Sequence, residues 1–203
     1  MKNLKNRVIS CLLIGITLVL AYFYSNIHER DCIYNKDADV STYISTGTLS
    51  EGEELSQTFI AQNKSMDEIQ LKVDLLGDVS NVVLQYKLLD DNSNVLYQDT
   101  ISALELENQT FNTLKISPIE HADGQKYTLV LSEQNANPQN GVSFYLTSGR
   151  TDGDELIIKG NSTDASLLAE MTSDGFDAET FFVLLGMIAF IVVFMKILYK
   201  MFK

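Results

Sequence analysis

Tryptophan is absent from this 203-residue sequence, and cysteine, histidine and proline occur only twice each. Cys11 lies inside an apolar run and Cys32 just beyond it, so residues 39–171 contain no cysteine. No disulfide can staple that stretch, and no cysteine-based metal site exists in it. His28 and His121 stand outside any motif that would make them a base or a metal ligand, and both read as solvated surface residues. The chain has no Gly-x-Ser-x-Gly elbow, His-Glu-x-x-His pair or P-loop, so nucleophilic, zinc-dependent and nucleotide-driven chemistry lack their usual support. Positive charge is scarce where most of the chain lies. All 27 acidic residues fall between Glu29 and Glu179 beside nine of the 15 basic ones, leaving that stretch at −18. Such a surface repels phosphate, which excludes a nucleic-acid partner.

What the chain does have is apolar sequence at both ends. Residues 8–24 and 181–195 carry no charge. A 17-residue helix at about 1.5 Å per residue reaches about 25 Å, just enough for a hydrocarbon core. Neither run has the polar face of an amphipathic core helix. The sequence therefore predicts transmembrane helices at 8–25 and 181–198, with basic tails at 1–7 and 199–203. Lys2, Lys5, Arg7, Lys196, Lys200 and Lys203 anchor the two interfaces, Lys196 by snorkelling. The positive-inside rule then places both termini in the cytoplasm and the acidic middle outside it, in the envelope of a bacterium. The alternative is that residues 1–21 are a cleaved signal peptide, leaving a single C-terminal anchor. Cys11 with Gly15, and Gly186 near Ala189, supply small residues at which helices approach closely in lipid. They predict docking on an integral membrane partner or a second copy.

Between the spans the pattern has period two. Ile69, Leu71, Val73 and Leu75 alternate with Gln70, Lys72 and Asp74, and Val82, Leu84, Tyr86 and Leu88 repeat the design. Tyr127, Leu129 and Leu131, then Val142, Phe144 and Leu146, follow Gly124 and Gly141. Further strands are expected at 40–46, 55–61, 94–99, 111–117, 155–159 and 165–171. Gly77-Asp78, residues 90–94, Ala122-Asp123-Gly124 and the stretch around Pro138 supply the turns. The fold class is thus an all-β domain, an antiparallel β-sandwich or jelly roll over 39–171, flanked by an N-terminal and a C-terminal transmembrane helix. Residues 26–38 are expected as a stalk and 172–180 as a linker.

Gln57-Thr58-Phe59, the strand from Ile69, the run from Gly124 to Leu129, and Gly160-Asn161 followed by Leu167 recur in this order in jelly-roll modules of bacterial envelope proteins. On those residues the chain, over roughly 40–171, resembles the β-sandwich of carbohydrate-binding modules attached to membrane proteins. The resemblance implies glycan recognition or assembly with envelope machinery. Such modules often stack sugar rings on tryptophan, which this chain lacks.

Tyr86, Tyr127 and Phe144 share faces with aliphatic residues and read as core. Tyr97 and Tyr145 are the ring faces left for a sugar, each adding a hydroxyl. Tyr145 is out of phase with Val142 and Phe144. For a metal, residues 90–94 begin like an EF-hand loop, but Val95 replaces the turn glycine and Ile101 the bidentate glutamate. Asp152, Asp154 and Glu155 place three carboxylates in four residues and are the candidate ligands of a structural calcium, the only cofactor to consider.

The function expected is therefore non-enzymatic: a membrane-anchored accessory or assembly protein whose sandwich binds envelope glycan or a membrane-complex partner. Alternatives are a protein–protein interaction subunit with no sugar site and a carboxylate-based glycoside hydrolase.

Overall fold

The computed structural model describes residues 2–151 and 153–202, except for the side chains of residues 2–11, 13, 27, 28 and 174. The chain divides into a helical unit, Met1–His28 with Asp174–Lys203, and a β unit, Glu29–Ser173.

The alternation read from the sequence becomes two antiparallel sheets. In one, β1 (Asn26–Cys32), β13 (Ala169–Phe176), β4 (Ser65–Leu76), β9 (Gly141–Ser148) and β12 (Ala165–Leu167) lie in that order, with β2 (Ile44–Ser45) on β9 and β7 (Phe111–Glu120) on β4. In the other the order is β11 (Asn161–Thr163), β10 (Glu155–Ile158), β3 (Glu54–Ile60), β8 (Lys126–Gln134), β5 (Val83–Asp90) and β6 (Val95–Ser102). The inward residues of both sheets form one core: Leu55 and Phe59, Ile69, Leu71 and Val73, Leu84 and Leu88, Leu129 and Leu131, Val142 and Phe144. Tyr86 and Tyr127 are buried with them, their phenols pushed upward by burial.

Two polar side chains sit in this apolar interior, and each joins segments far apart in sequence. Gln57 of β3 is fully buried; its Oε1 accepts the N–H of Leu167 at 2.9 Å, and its Nε2 donates to Thr58 O at 2.8 Å. Glu133 of β8 is 3% exposed and accepts from the N–H groups of Leu49 and Val142, each at 2.8 Å. Without these side chains those amides would be buried without partners, at a cost of about 1–3 kcal/mol each.

Several expectations meet a different outcome. Asn26–Cys32, expected within a stalk, form β1, so Cys32 belongs to the sheet as a half-buried free thiol. The expected linker at 172–180 is largely strand, because β13 runs on to Phe176. The stretch 165–171 breaks at Leu168, where the chain changes partner: its N–H bonds Tyr145 O at 2.8 Å and its carbonyl accepts from Lys72 at 3.0 Å. Residues 40–46 hold a short 3-10 turn, Val40–Thr42, before β2.

In the helical unit, α1 covers Lys2–Ser25 and α2 covers Ala178–Met201. The second begins three residues before the expected 181 because Asp177 caps it, accepting from the N–H groups of Glu179 at 2.9 Å and Thr180 at 3.2 Å. Among the described residues α2 alone is long and apolar enough to cross a membrane, with mean hydropathy 2.8 and none of it buried. The apolar stretch found in α1, Ile14–Ser25, is shorter.

Candidate functional site

The structure separates the two tyrosines singled out from the sequence. Tyr97 is on β6, its ring 6.1 Å from that of core residue Tyr86 and its hydroxyl donating to Asp99 Oδ2 at 3.2 Å. It is half-buried and packs against the core. Tyr145 is on β9 in the other sheet, on the face opposite Phe144. There the Lys72 ammonium lies 5.3 Å from its ring centroid and 5.5 Å from that of Tyr43. Register explains the meeting: Val73 pairs with Phe144, so the neighbours Lys72 and Tyr145 emerge side by side on the outer face. Tyr43 arrives from the turn before β2, placed by the pairing of Ile44 with Leu146 and Ser45 with Tyr145, which local periodicity does not encode. The result is a cation between two aromatic faces, worth about 0.5–2 kcal/mol depending on desolvation.

A second site lies where β3 ends. Thr58, Lys126, Arg150, Thr151, Gly153, Asp154 and Glu155 line a cleft of roughly 400 Å³. Thr151 and Asp154 also line a smaller recess of roughly 190 Å³, with Asp31 and Gln62 beside an apolar floor of Phe59, Ile60 and Met171. Gly153, at φ +92, turns the chain into β10 here, and a Cβ on it would lie 2.7 Å from Ile60 Cδ1. Asp31 is 7% exposed and accepts the Gln62 N–H on Oδ2 at 2.9 Å. Burial pushes its carboxyl upward, against that amide and the nearby Lys36. Asp154 is pushed up to about 6 by burial, with the charge of Asp31 adding to the rise and the Ile60 amide and Thr151 opposing it. No cation pairs with either carboxylate among the described residues. Lys126 and Arg150 instead reach Asp91 at 3.8 Å and Asp164 at 3.9 Å.

Of the three carboxylates proposed for calcium, Asp154 and Glu155 line this cleft and Asp152 lies outside the described residues. Among the described residues no group of three or more His, Cys, Asp or Glu is placed to hold a metal. Sequence reading missed Asp31, which sits in the presumed stalk 123 residues before Asp154. Cys32 also borders the recess, but burial and the charge of Glu170 raise its thiol, which disfavours the nucleophilic thiolate. Glu170 itself accepts from the Tyr34 hydroxyl at 2.9 Å and lies 3.8 Å from Arg30.

Of the anchoring residues, Lys196 and Lys200 lie in the last turns of α2. Lys203 and the side chains of Lys2, Lys5 and Arg7 are outside the described residues.

Neither protein-family models nor the curated proteins provide a match to this chain. Among solved structures it is similar to a clostridial cysteine protease after propeptide cleavage, at TM-score 0.39 and 8% identity over 67% of this chain and 41% of that one. It is also similar to the VP2 subviral particle of infectious bursal disease virus, at TM-score 0.30 and 11% identity, over 76% of this chain and 34% of that one.

Proposed function

We propose that this chain is a non-enzymatic, membrane-anchored accessory protein whose jelly-roll sandwich binds envelope glycan outside the cytoplasm. The observation that carries the anchoring is α2, a 24-residue helix with apolar side chains on every face. Water gives such a helix no reason to stay unburied; a bilayer does. In this reading residues 8–25 form a second span, and the basic residues flanking the two apolar runs at their terminal ends hold both termini in the cytoplasm.

For the glycan, the support is Tyr145 and Tyr43 with Lys72 between them, and the cleft below β3. A ring face and an adjacent donor are what a pyranose requires, apolar contact on its C–H face and hydrogen bonds at its edge. The Cys32 thiol is raised by burial and by the charge of Glu170, which disfavours a nucleophilic thiolate, and the reading is one of binding. Two measurements test it. Protease added to intact spheroplasts should digest residues 30–178, and the purified protein should be retained by envelope polysaccharide. Protection of the module until lysis would overturn the topology.

A protein–protein role has one observation in its favour. Strand β6 ends its sheet with Val95 and Leu96 more than two-fifths exposed, an edge open to pairing with another strand. Co-purification of a stoichiometric partner without retention on glycan would favour this second reading.

A further inference from the structure

We propose that the recess between Asp31 and Asp154 is a subsite for the primary ammonium of an N-deacetylated amino sugar. The inference rests on the glycan-binding reading and names the class of sugar. Three independent features of the site carry it.

The first is a buried charge with an unused acceptor. Asp31 is 7% exposed, yet only its Oδ2 is engaged, by the Gln62 amide; Oδ1 has no hydrogen bond and the carboxylate no ion pair among the described residues. Oδ1 is not among the fully buried atoms without a partner and opens onto the recess, so a carboxylate otherwise enclosed by protein presents one acceptor to whatever enters there. Across the recess Asp154 presents a second carboxylate that lacks an ion pair among the described residues. The groups around them are Glu155, Lys126, Arg150 and the Cys32 thiol, with Lys36 near enough for its charge to act on Asp31 but not within ion-pair distance. Of these cations, Lys126 and Arg150 are turned to other acids.

The second feature is the shape and lining of the recess. Phe59, Ile60 and Met171 make its floor, while Thr58, Thr151 and Gln62 supply hydroxyl and amide groups toward the wider cleft. A hard divalent ion calls for six to eight oxygens in a polar cage, and an apolar floor wastes half of that shell. An aminohexose matches both halves: its C–H face covers the floor, its ammonium donates to Asp31 and Asp154, and its hydroxyls meet the threonines. An N-acetyl group would replace that ammonium by a bulkier, neutral amide.

The third is the long-range field. Residues 29–179 carry −18, which attracts a cationic polymer and repels an anionic one.

The test compares a glucosamine tetramer, its fully N-acetylated counterpart and a lysine tripeptide, each titrated calorimetrically into the full chain in nanodiscs at pH 7.5. The deacetylated tetramer should bind at least about ten-fold more tightly than the acetylated one. Asp31→Asn keeps an acceptor for the Gln62 amide and preserves the fold. It and Asp154→Asn should each abolish the preference, whereas Glu105→Gln, outside the cleft, should leave it intact. Equal binding of both tetramers, unchanged in the variants, overturns the subsite while glycan binding stands. A preference that survives both substitutions, or a lysine tripeptide that binds as tightly, also overturns it, assigning the effect to diffuse charge or to a basic peptide. Failure of every saccharide to bind removes the subsite and the glycan reading together.

Discussion

Glu133 and Gly141 are in contact at a position where a side chain cannot stand. A Cβ on Gly141 would lie 2.6 Å from Glu133 Oε2, the oxygen that accepts the Val142 N–H at 2.8 Å. The buried carboxylate, the loop amide of Leu49 and the start of β9 are fitted around a missing methyl group.

Gly141→Ala should therefore destabilise the protein by about 2–3 kcal/mol, as overpacking against fixed hydrogen-bonded atoms does. Glu133→Ala should cost about 2–4 kcal/mol by orphaning two amides. The double variant should cost less than the sum, since removing the carboxylate relieves the tightest of the methyl group's contacts and leaves only Thr48, with its Cγ2 at 2.8 Å, to give way. Urea midpoints of the four proteins measure the coupling; strict additivity would contradict it.

The second prediction concerns pH. Asp154 holds its proton up to about 6 in the folded chain, against 3.8 as the ordinary value. The folded state binds this proton more tightly than the unfolded state. The contribution is thus fully present below about 3.8 and is lost as pH rises to about 6. Asp154→Asn should remove that loss and stabilise the protein at pH 7 by about 1–2 kcal/mol, a figure reduced for partial solvent screening. The acids Asp39, Glu53, Asp78 and Asp90, held by local hydrogen bonds, shift downward and act in the opposite sense at lower pH. The informative quantity is therefore the difference between wild type and variant across pH 4–7.

The two tyrosines should part company on substitution. Tyr145→Ala is expected to weaken retention on envelope glycan about ten-fold, the loss of one stacked ring and its hydroxyl. Tyr97→Ala should leave retention unchanged and lower stability by about 1 kcal/mol, because its ring supports Tyr86. Affinity chromatography beside thermal melts separates the outcomes, and the reverse pattern would move the site to the other sheet.

A fourth experiment asks how many anchors there are. Deleting residues 178–203 should leave the protein in the alkaline-washed membrane fraction, held by residues 8–25. Release into the wash would mean that α2 is the only anchor, as expected if residues 1–21 are cleaved.

These cases show what was legible in the chain. The paired sheets were written in period two, and the strands from Ile69, Val82, Tyr127 and Val142 could be read directly because burial on one face forces alternation. β1 was not, since Asn-Ile-His-Glu-Arg-Asp-Cys carries no alternating apolar face; its place comes from pairing with β13. The candidate sites depend on register. Tyr145 was recognisable as out of phase with the core, but its meeting with Lys72 and Tyr43 required the β4–β9 pairing. Asp31 was hidden for the same reason: nothing local distinguishes it from other acids until the turn at Gly153 brings Asp154 to face it.

The neighbouring positions of β1 and β13 in one sheet have a further consequence for the β unit taken by itself. Its first and last residues, Glu29 and Ser173, belong to adjacent strands, so a short glycine-rich splice can join them. A circular permutant reopened in the exposed 91–94 turn would keep the ladders formed within Glu29–Ser173 and shorten only the pairing of β1 with β13, whose outer residues lie beyond the splice.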